Sequence, residues 1–161
     1  MEVSATFLES VLKEYFKDPS VKVIEFHLKN GLENQKNFTS VLNQFQVKWC
    51  SEKSKGQENL IIKFPENMKE GTTRKFITEN IYFTQVMPVL KKIFNQTKRE
   101  RKEIMLGPEF YITPEDHITI IGDLTPDGFS ISKNHFLEID QAKLVIEALA
   151  YLHGLSIAAE E

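Results

Sequence analysis

In the segment Leu60-Ile61-Ile62-Lys63-Phe64-Pro65, one lysine stands among apolar residues of strand-forming type. An ammonium placed there must either snorkel to water or meet a counter-charge, because burying it alone is costly. Between residues 73 and 90, Phe76, Phe83, Val86, Met87 and Leu90 recur at helical spacing, and Glu79 falls on the same side of that helix. Two lone charges on the apolar faces of consecutive elements predict a Lys63–Glu79 ion pair. A lysine held by a carboxylate presents its remaining N–H donors at a fixed point, an arrangement suited to phosphate oxygens. In the competing reading Lys63 sits on a strand rim, extended to solvent, with Glu79 at the margin of the helix face.

The other groups with chemical potential read as structural. His153 lies on the apolar face of the last helix, where a buried histidine with no acid or nucleophile nearby is expected. Cys50 is the only cysteine and follows Trp49 at a strand end, so neither a disulfide nor a cysteine metal set is expected, and no metal ligands are assigned. Six basic residues between Lys91 and Lys102 (Lys91, Lys92, Lys98, Arg99, Arg101 and Lys102) are diluted by Glu100 and Glu103 and read as a solvated helix end and loop.

The elements that must position Lys63 and Glu79 follow from periodicity. Ser4 caps a helix carrying Phe7, Leu8, Val11, Leu12, Tyr15 and Phe16, which Asp18-Pro19-Ser20 stops. Val21 to Leu28 alternates as a strand, with Val21, Val23 and Glu25 opposing Lys22, Ile24 and Phe26. After a polar turn around Gly31, Phe38 to Cys50 is a second strand with Val41, Phe45, Val47 and Trp49 as its apolar positions. Ser51 to Glu58 reads as a hairpin loop and Asn59 to Phe64 as a third strand. Thr72 or Thr73 caps the Glu79 helix, which should run to about Met87, where Pro88 kinks it or it restarts as Val89 to Phe94. Two short strands follow, Glu109 to Thr113 and His117 to Ile121, then a loop from Asp123 to Phe129. Asp140 caps a last helix with Ala142, Val145, Ile146, Leu149, Leu152, His153 and Ser156 on one broad face. The predicted fold is α+β: a five-stranded antiparallel sheet with a packed helix, flanked by an N-terminal and a C-terminal helix.

Bulk properties narrow the partners. The chain has 161 residues, 41% hydrophobic and 27% charged, which is the size and balance of one folded domain. A net charge of −3 argues against a nucleic-acid partner. No apolar run reaches membrane-spanning length and residues 1–10 lack a secretory core, so neither membrane association nor export is expected, and the cytoplasm is the expected location.

Five segments together resemble one family. They are Asn37 to Trp49, Leu60 to Pro65, Phe76 to Leu90, Ile120 to Phe129 and Leu144 to Ala158, in order over nearly the whole chain. The chain resembles the N-terminal lobe of an insect ecdysteroid kinase-like (CHK kinase-like) protein, in the choline kinase and aminoglycoside phosphotransferase superfamily. The resemblance implies a protein-kinase-like N-lobe over residues 1–121, a hinge and connector over 122–135, and over 136–161 the first helix of a C-lobe the sequence does not contain. It implies a transferase ancestry, with ATP and Mg as cofactors and phosphorylation of a small-molecule hydroxyl. It also implies that Lys63 contacts phosphate with Glu79 as its partner. Asn37, Phe38 and Ser40 would lie in the loop over the nucleotide phosphates, and the backbone of Gly122 and Leu124 would meet the adenine.

Three departures shape the expected activity. A glycine and an acid are expected just before Asn37, where Gln35 and Lys36 stand, and the loop loses close backbone approach to phosphate. The hinge reads Gly122-Asp123-Leu124 where Glu-Asp-Leu is expected. None of His27, His117, His135 and His153 has an aspartate two residues later, so the catalytic-loop pattern is absent and no catalytic residue is assigned. The expectation is therefore a fragmentary or inactive kinase-like lobe with weak or no ATP binding, which meets a small-molecule substrate only where a C-lobe exists. The alternative is a non-catalytic interaction module. Its last helix would expose an apolar face, and self-association as a homodimer is the simplest outcome.

Overall fold

The computed structural model describes residues 3–29, 40–66, 70–96, 107–130 and 136–159, with 70–73 described by backbone alone. The elements are α1 (Ala5–Phe16), β1 (Lys22–Lys29), β2 (Ser40–Cys50), β3 (Lys55–Pro65), α2 (Glu70–Ile81), a π-helical turn (Tyr82–Val86), α3 (Met87–Gln96), β4 (Phe110–Tyr111), β5 (Thr119–Gly122), a 3-10 turn (Thr125–Asp127) and α4 (Ile139–Ala158). The five strands form one antiparallel sheet in the order β1-β2-β3-β5-β4. The α+β architecture expected from the sequence is the one found.

Alternation along the strands gives the sheet two faces. On one, Phe45, Val47, Trp49, Leu60, Ile62, Phe64, Ile118 and Ile120 join Leu8, Val11 and Leu12 of α1 in a buried core. The Ser4 side chain accepts from Phe7 N–H to start α1, and Lys17 in the left-handed conformation (φ 52°) ends it. The opposite face carries Lys29, Leu42, Gln44, Gln46, Asn59, Ile61, Lys63, Thr119 and Ile121, as the pairings Lys29↔Gln44, Gln44↔Ile61, Leu42↔Lys63, Ile61↔Ile121 and Lys63↔Thr119 require. α1 covers the core face, and α2 lies against the opposite face, which is half-buried at Leu42, Ile61, Lys63 and Ile121.

Several local expectations are corrected. A register shift between Val23 and Glu25 interrupts the alternation of β1, so Val23 and Phe26 both pack on the core while Ile24 is exposed. The hairpin loop shrinks to Ser51–Ser54, closed by Ser51 N–H donating to Ser54 O at 2.7 Å, and β3 begins at Lys55. The indole of Trp49 makes this pairing favourable. It lies across Gly56, where a Cβ would sit 3.0 Å from Trp49 Cζ2, and donates to Glu58 Oε1 at 3.3 Å.

The helix expected to start at Thr72 or Thr73 begins at Glu70 and runs through Pro88 by way of the π turn. There Met87 N–H pairs with Tyr82 O, and the Thr84 hydroxyl donates to Asn80 O at 2.7 Å. A widened turn relieves the clash of a proline ring with the preceding turn, so the helix continues. The extra residue also rotates the apolar stripe, which leaves Phe76, Met87 and Leu90 buried but Val86 40% exposed. β4 and β5 are shorter than expected. α4 is capped by Glu138, in a reciprocal box with Gln141, and not by Asp140, which pairs with Lys143 at 2.9 Å. His153, expected to be buried, is exposed, and Leu155 is the buried residue among those described on α4.

Candidate functional site

Lys63 and Glu79 meet. Lys63 Nζ donates to Glu79 Oε2 at 2.6 Å, with side chains 26% and 31% exposed. The ammonium also lies 5.4 Å from the centroid of the buried Phe76 ring, one turn before Glu79. The rim reading is thereby excluded: β3 projects Lys63 onto the face opposite the core, and α2 brings the carboxylate to it. One of three ammonium donors is engaged by Glu79, and the partial exposure leaves the others accessible to an anion.

Next to Lys63 this face is apolar, with Leu42, Ile61 and Ile121 half-buried around it in cross-strand register. Beyond them stands a polar cluster that sequence reasoning did not identify. Asp123 is buried, and its carboxylate accepts from Gln44 Nε2, Thr125 Oγ1 and Thr125 N–H, the last at 2.9 Å. Lys29 Nζ lies 3.8 Å from Asp123 Oδ2 and donates to Asn59 Oδ1 at 2.8 Å. Burial opposes ionisation of Asp123, but the hydrogen bonds from Thr125 and Gln44 and the charge of Lys29 outweigh it and hold the carboxyl below the usual aspartate range. Thr125 stands two residues after Asp123, the spacing of an Asx-turn, whereas Gln44 and Lys29 lie tens of residues away and no spacing rule connects them to it.

The remaining site residues named from the sequence are placed as follows. Asn37 and Phe38 lie outside the described residues, as does the expected phosphate loop up to Ser40. Ser40 opens β2 opposite Pro65, 2% exposed, and among the described residues its hydroxyl has no hydrogen-bond partner. Gly122 ends β5, and its N–H donates to Glu109 O at 2.8 Å, while Asp123 N–H donates to Asn59 O at 2.8 Å. Two N–H groups of the expected hinge are thus committed to the sheet. Leu124 is half-buried, and its carbonyl accepts from Asp127 N–H at 3.0 Å and Phe129 N–H at 3.3 Å, fixing the turn that follows. Gly128 (φ 90°) closes that turn in a conformation open to glycine.

Among the described residues no group of three or more His, Cys, Asp or Glu could hold a metal ion, and no helix is long and apolar enough to cross a membrane. Of the basic stretch, Lys91 pairs with Glu109 at 3.6 Å, and Lys98 to Lys102 lie outside the described residues.

A strand lysine paired with a helix glutamate, above a short segment joining a five-stranded sheet to a following helix, is the layout of a kinase-like N-lobe. Comparison with curated proteins and with solved structures returns no match. The model of the ecdysteroid kinase-like family matches residues 34–161, a span that begins after α1 and β1. With that match over most of its length, the chain belongs to the ecdysteroid kinase-like family.

Proposed function

We infer that this chain supplies the nucleotide-binding half of an ATP-dependent phosphotransferase acting on small-molecule hydroxyls. The observation that carries this reading is the 2.6 Å Lys63–Glu79 pair on the face of the sheet opposite the core. In the proposed complex, Lys63 donates to nucleotide phosphate oxygens while Glu79 keeps the ammonium from collapsing onto another acceptor. Leu42, Ile61 and Ile121 receive the flat face of the base, and uncommitted backbone groups between Gly122 and Leu124 meet its edge. Residues 122–135 are the connector in this reading, and 136–161 open a second lobe.

Magnesium would arrive with the triphosphate and neutralise charge there. No donor set for it is found among the described residues, and no step is assigned to it. Nor does the sequence contain a His-x-Asp pattern to accept the proton of a substrate hydroxyl, so the function proposed for this chain is binding and orientation of nucleotide. Titration calorimetry with ATP should give a Kd no tighter than the high micromolar range, about −5 to −6 kcal/mol. Lys63→Ala should weaken or abolish the signal. Submicromolar affinity in the Lys63→Ala variant would refute the assignment.

A second reading is favoured by α4. Ile139, Leu144, Val145, Ile146, Leu149 and Ile157 are 45–76% exposed on one helix, which suits a face that pairs with a second copy of the chain.

A further inference from the structure

We propose that Asn80 is a latch that fixes α2 against β5 and so holds Glu79 on Lys63, making it a positioning residue of the candidate nucleotide site. The proposal rests on the nucleotide-binding reading for its functional consequence, but the latch itself is a property of the ligand-free protein.

One side chain makes three hydrogen bonds across the gap between helix and sheet. Asn80 Nδ2 donates to Asp116 O and to Ile118 O, each at 3.1 Å, and Asn80 Oδ1 accepts from Thr119 Oγ1 at 2.9 Å. Both amide protons and the amide oxygen are used, so the orientation of the amide is set by its partners: two carbonyls on one side, one hydroxyl on the other. Thr119 is 1% exposed, and its hydroxyl would be left without this partner if Asn80 were lost.

The connection to the site is short. Thr119 is the cross-strand partner of Lys63, and Asn80 follows Glu79 in the chain. A closed circuit results, running from Lys63 through its ion pair to Glu79, along one peptide to Asn80, across a hydrogen bond to Thr119, and back through the β3–β5 ladder to Lys63. Rotating or sliding α2 so as to withdraw Glu79 would break the Asn80 bonds as well.

A second observation explains why a polar latch is needed. Among the residues of α2 whose side chains are described, Phe76 alone is buried, while Arg74, Lys75, Ile77, Thr78 and Ile81 are exposed. Within this first stretch of the helix, ahead of the buried Met87 and Leu90, Phe76 is the apolar anchor among the described side chains. Asn80, one turn further on, adds three directional bonds to β5 and the turn before it, next to Glu79.

The test reads the pair directly. Lys63 is acylated with an amine-reactive ester under limiting conditions, and its rate is followed by peptide mass spectrometry in the full chain without nucleotide. Glu79→Gln should raise the rate by releasing the ammonium. Asn80→Ala removes three hydrogen bonds and should raise it by at least about fivefold, the factor associated with loss of one such contact. Adding Asn80→Ala to Glu79→Gln should produce no further rise, because both act through the same pair. An unchanged rate in a folded Asn80→Ala protein, or full additivity with Glu79→Gln, would overturn the proposal, since general loosening of the fold predicts additivity.

Thr119→Val keeps the shape and removes one arm of the latch. It should give a smaller rise in the same direction, and it decides the matter if Asn80→Ala does not fold, an unchanged rate counting against the latch. ATP calorimetry on the same variants separates the two claims. Wild-type protein that fails to bind ATP removes the nucleotide reading, while the acylation rates still judge the latch.

Discussion

Asp123 keeps a negative charge in a nearly closed site because three donors and one cation converge on it, and that balance makes it sensitive to acid. Its carboxyl titrates below the usual aspartate value in the folded chain. Its contribution to stability is therefore complete above the unfolded value of about 3.9 and is lost as pH falls through the lower folded value. Asp123→Ala should lower the unfolding free energy at pH 7 by about 1.5–3 kcal/mol, the range for hydrogen bonds to a charged group. Urea denaturation from pH 7 downward should show the gap between variant and wild type closing below about pH 4. A gap that stays constant into that range would mean the charge is not what Gln44 and Thr125 hold.

Lys63 and Glu79 were legible in the sequence because each is a charge on an otherwise apolar face, and only pairing reconciles two such charges. Asp123 and Asn80 were not. Asp123 opens a Gly- and Pro-containing loop and Asn80 adjoins Glu79 and Thr78, and neither position marks its carboxylate or amide as hydrogen-bonded to a distant group. Their partners, Gln44 for Asp123 and Thr119 for Asn80, lie 79 and 39 residues away. Periodicity reports which face a residue occupies and is silent about which distant group stands opposite.

Elements obey the same division between what is local and what is not. The identity of every long helix and strand follows from its own apolar period, and the β1-β2-β3 meander follows from consecutive short connections, whereas the β3–β5 pairing is made across the intervening helices. Boundaries depended on contacts made elsewhere. Lys55 to Glu58 is polar and reads as loop, yet it pairs along its length with Val47 to Cys50 because Trp49 needs Gly56 beneath its ring. The helix containing Glu79 passes Pro88 because one residue is inserted ahead of it, and that insertion moves Val86 off the buried stripe. The N-terminal helix is the simplest case. Leu8, Val11 and Leu12 are fully buried and form the lid of the core on the face opposite Lys63. Leu12→Ala should cost about 2–5 kcal/mol in urea denaturation, the range for emptying a close-packed leucine site. A loss under about 1 kcal/mol would show that α1 rests loosely on the sheet and does not set its curvature.

The whole molecule has one sheet and two unequal coverings. α1 completes the core on one face, and α2 meets the other at β5 and, through Glu79, at Lys63. α4 lies outside this arrangement and touches the rest through α3. Phe94 meets Tyr151 edge-on at 6.4 Å, and Leu155 is buried. A groove of about 430 Å³ between Ile93, Phe94, Tyr151, Gly154, Leu155 and Ala158 marks this incomplete contact. On the far side of the helix, Ala142, Val145, Leu149, Leu152 and Ser156 follow a 3-4-3-4 spacing, the seam of a coiled coil. The seam is symmetric in size about Leu149, with small residues at both ends and larger ones within. Two antiparallel copies would set Ala142 against Ser156, Val145 against Leu152 and Leu149 against itself, which is the self-complementarity a twofold interface requires. Twenty residues of helix span roughly 30 Å, long enough to bury a standard contact area of about 800 Å² per partner with Ile146 alongside the seam. Sedimentation velocity should therefore show concentration-dependent dimers, and Val145→Lys with Leu149→Lys should return the protein to monomer without lowering its melting temperature. A wild-type monomer at high concentration, with these leucine and valine positions protected from solvent, would show that α4 closes on its own chain instead.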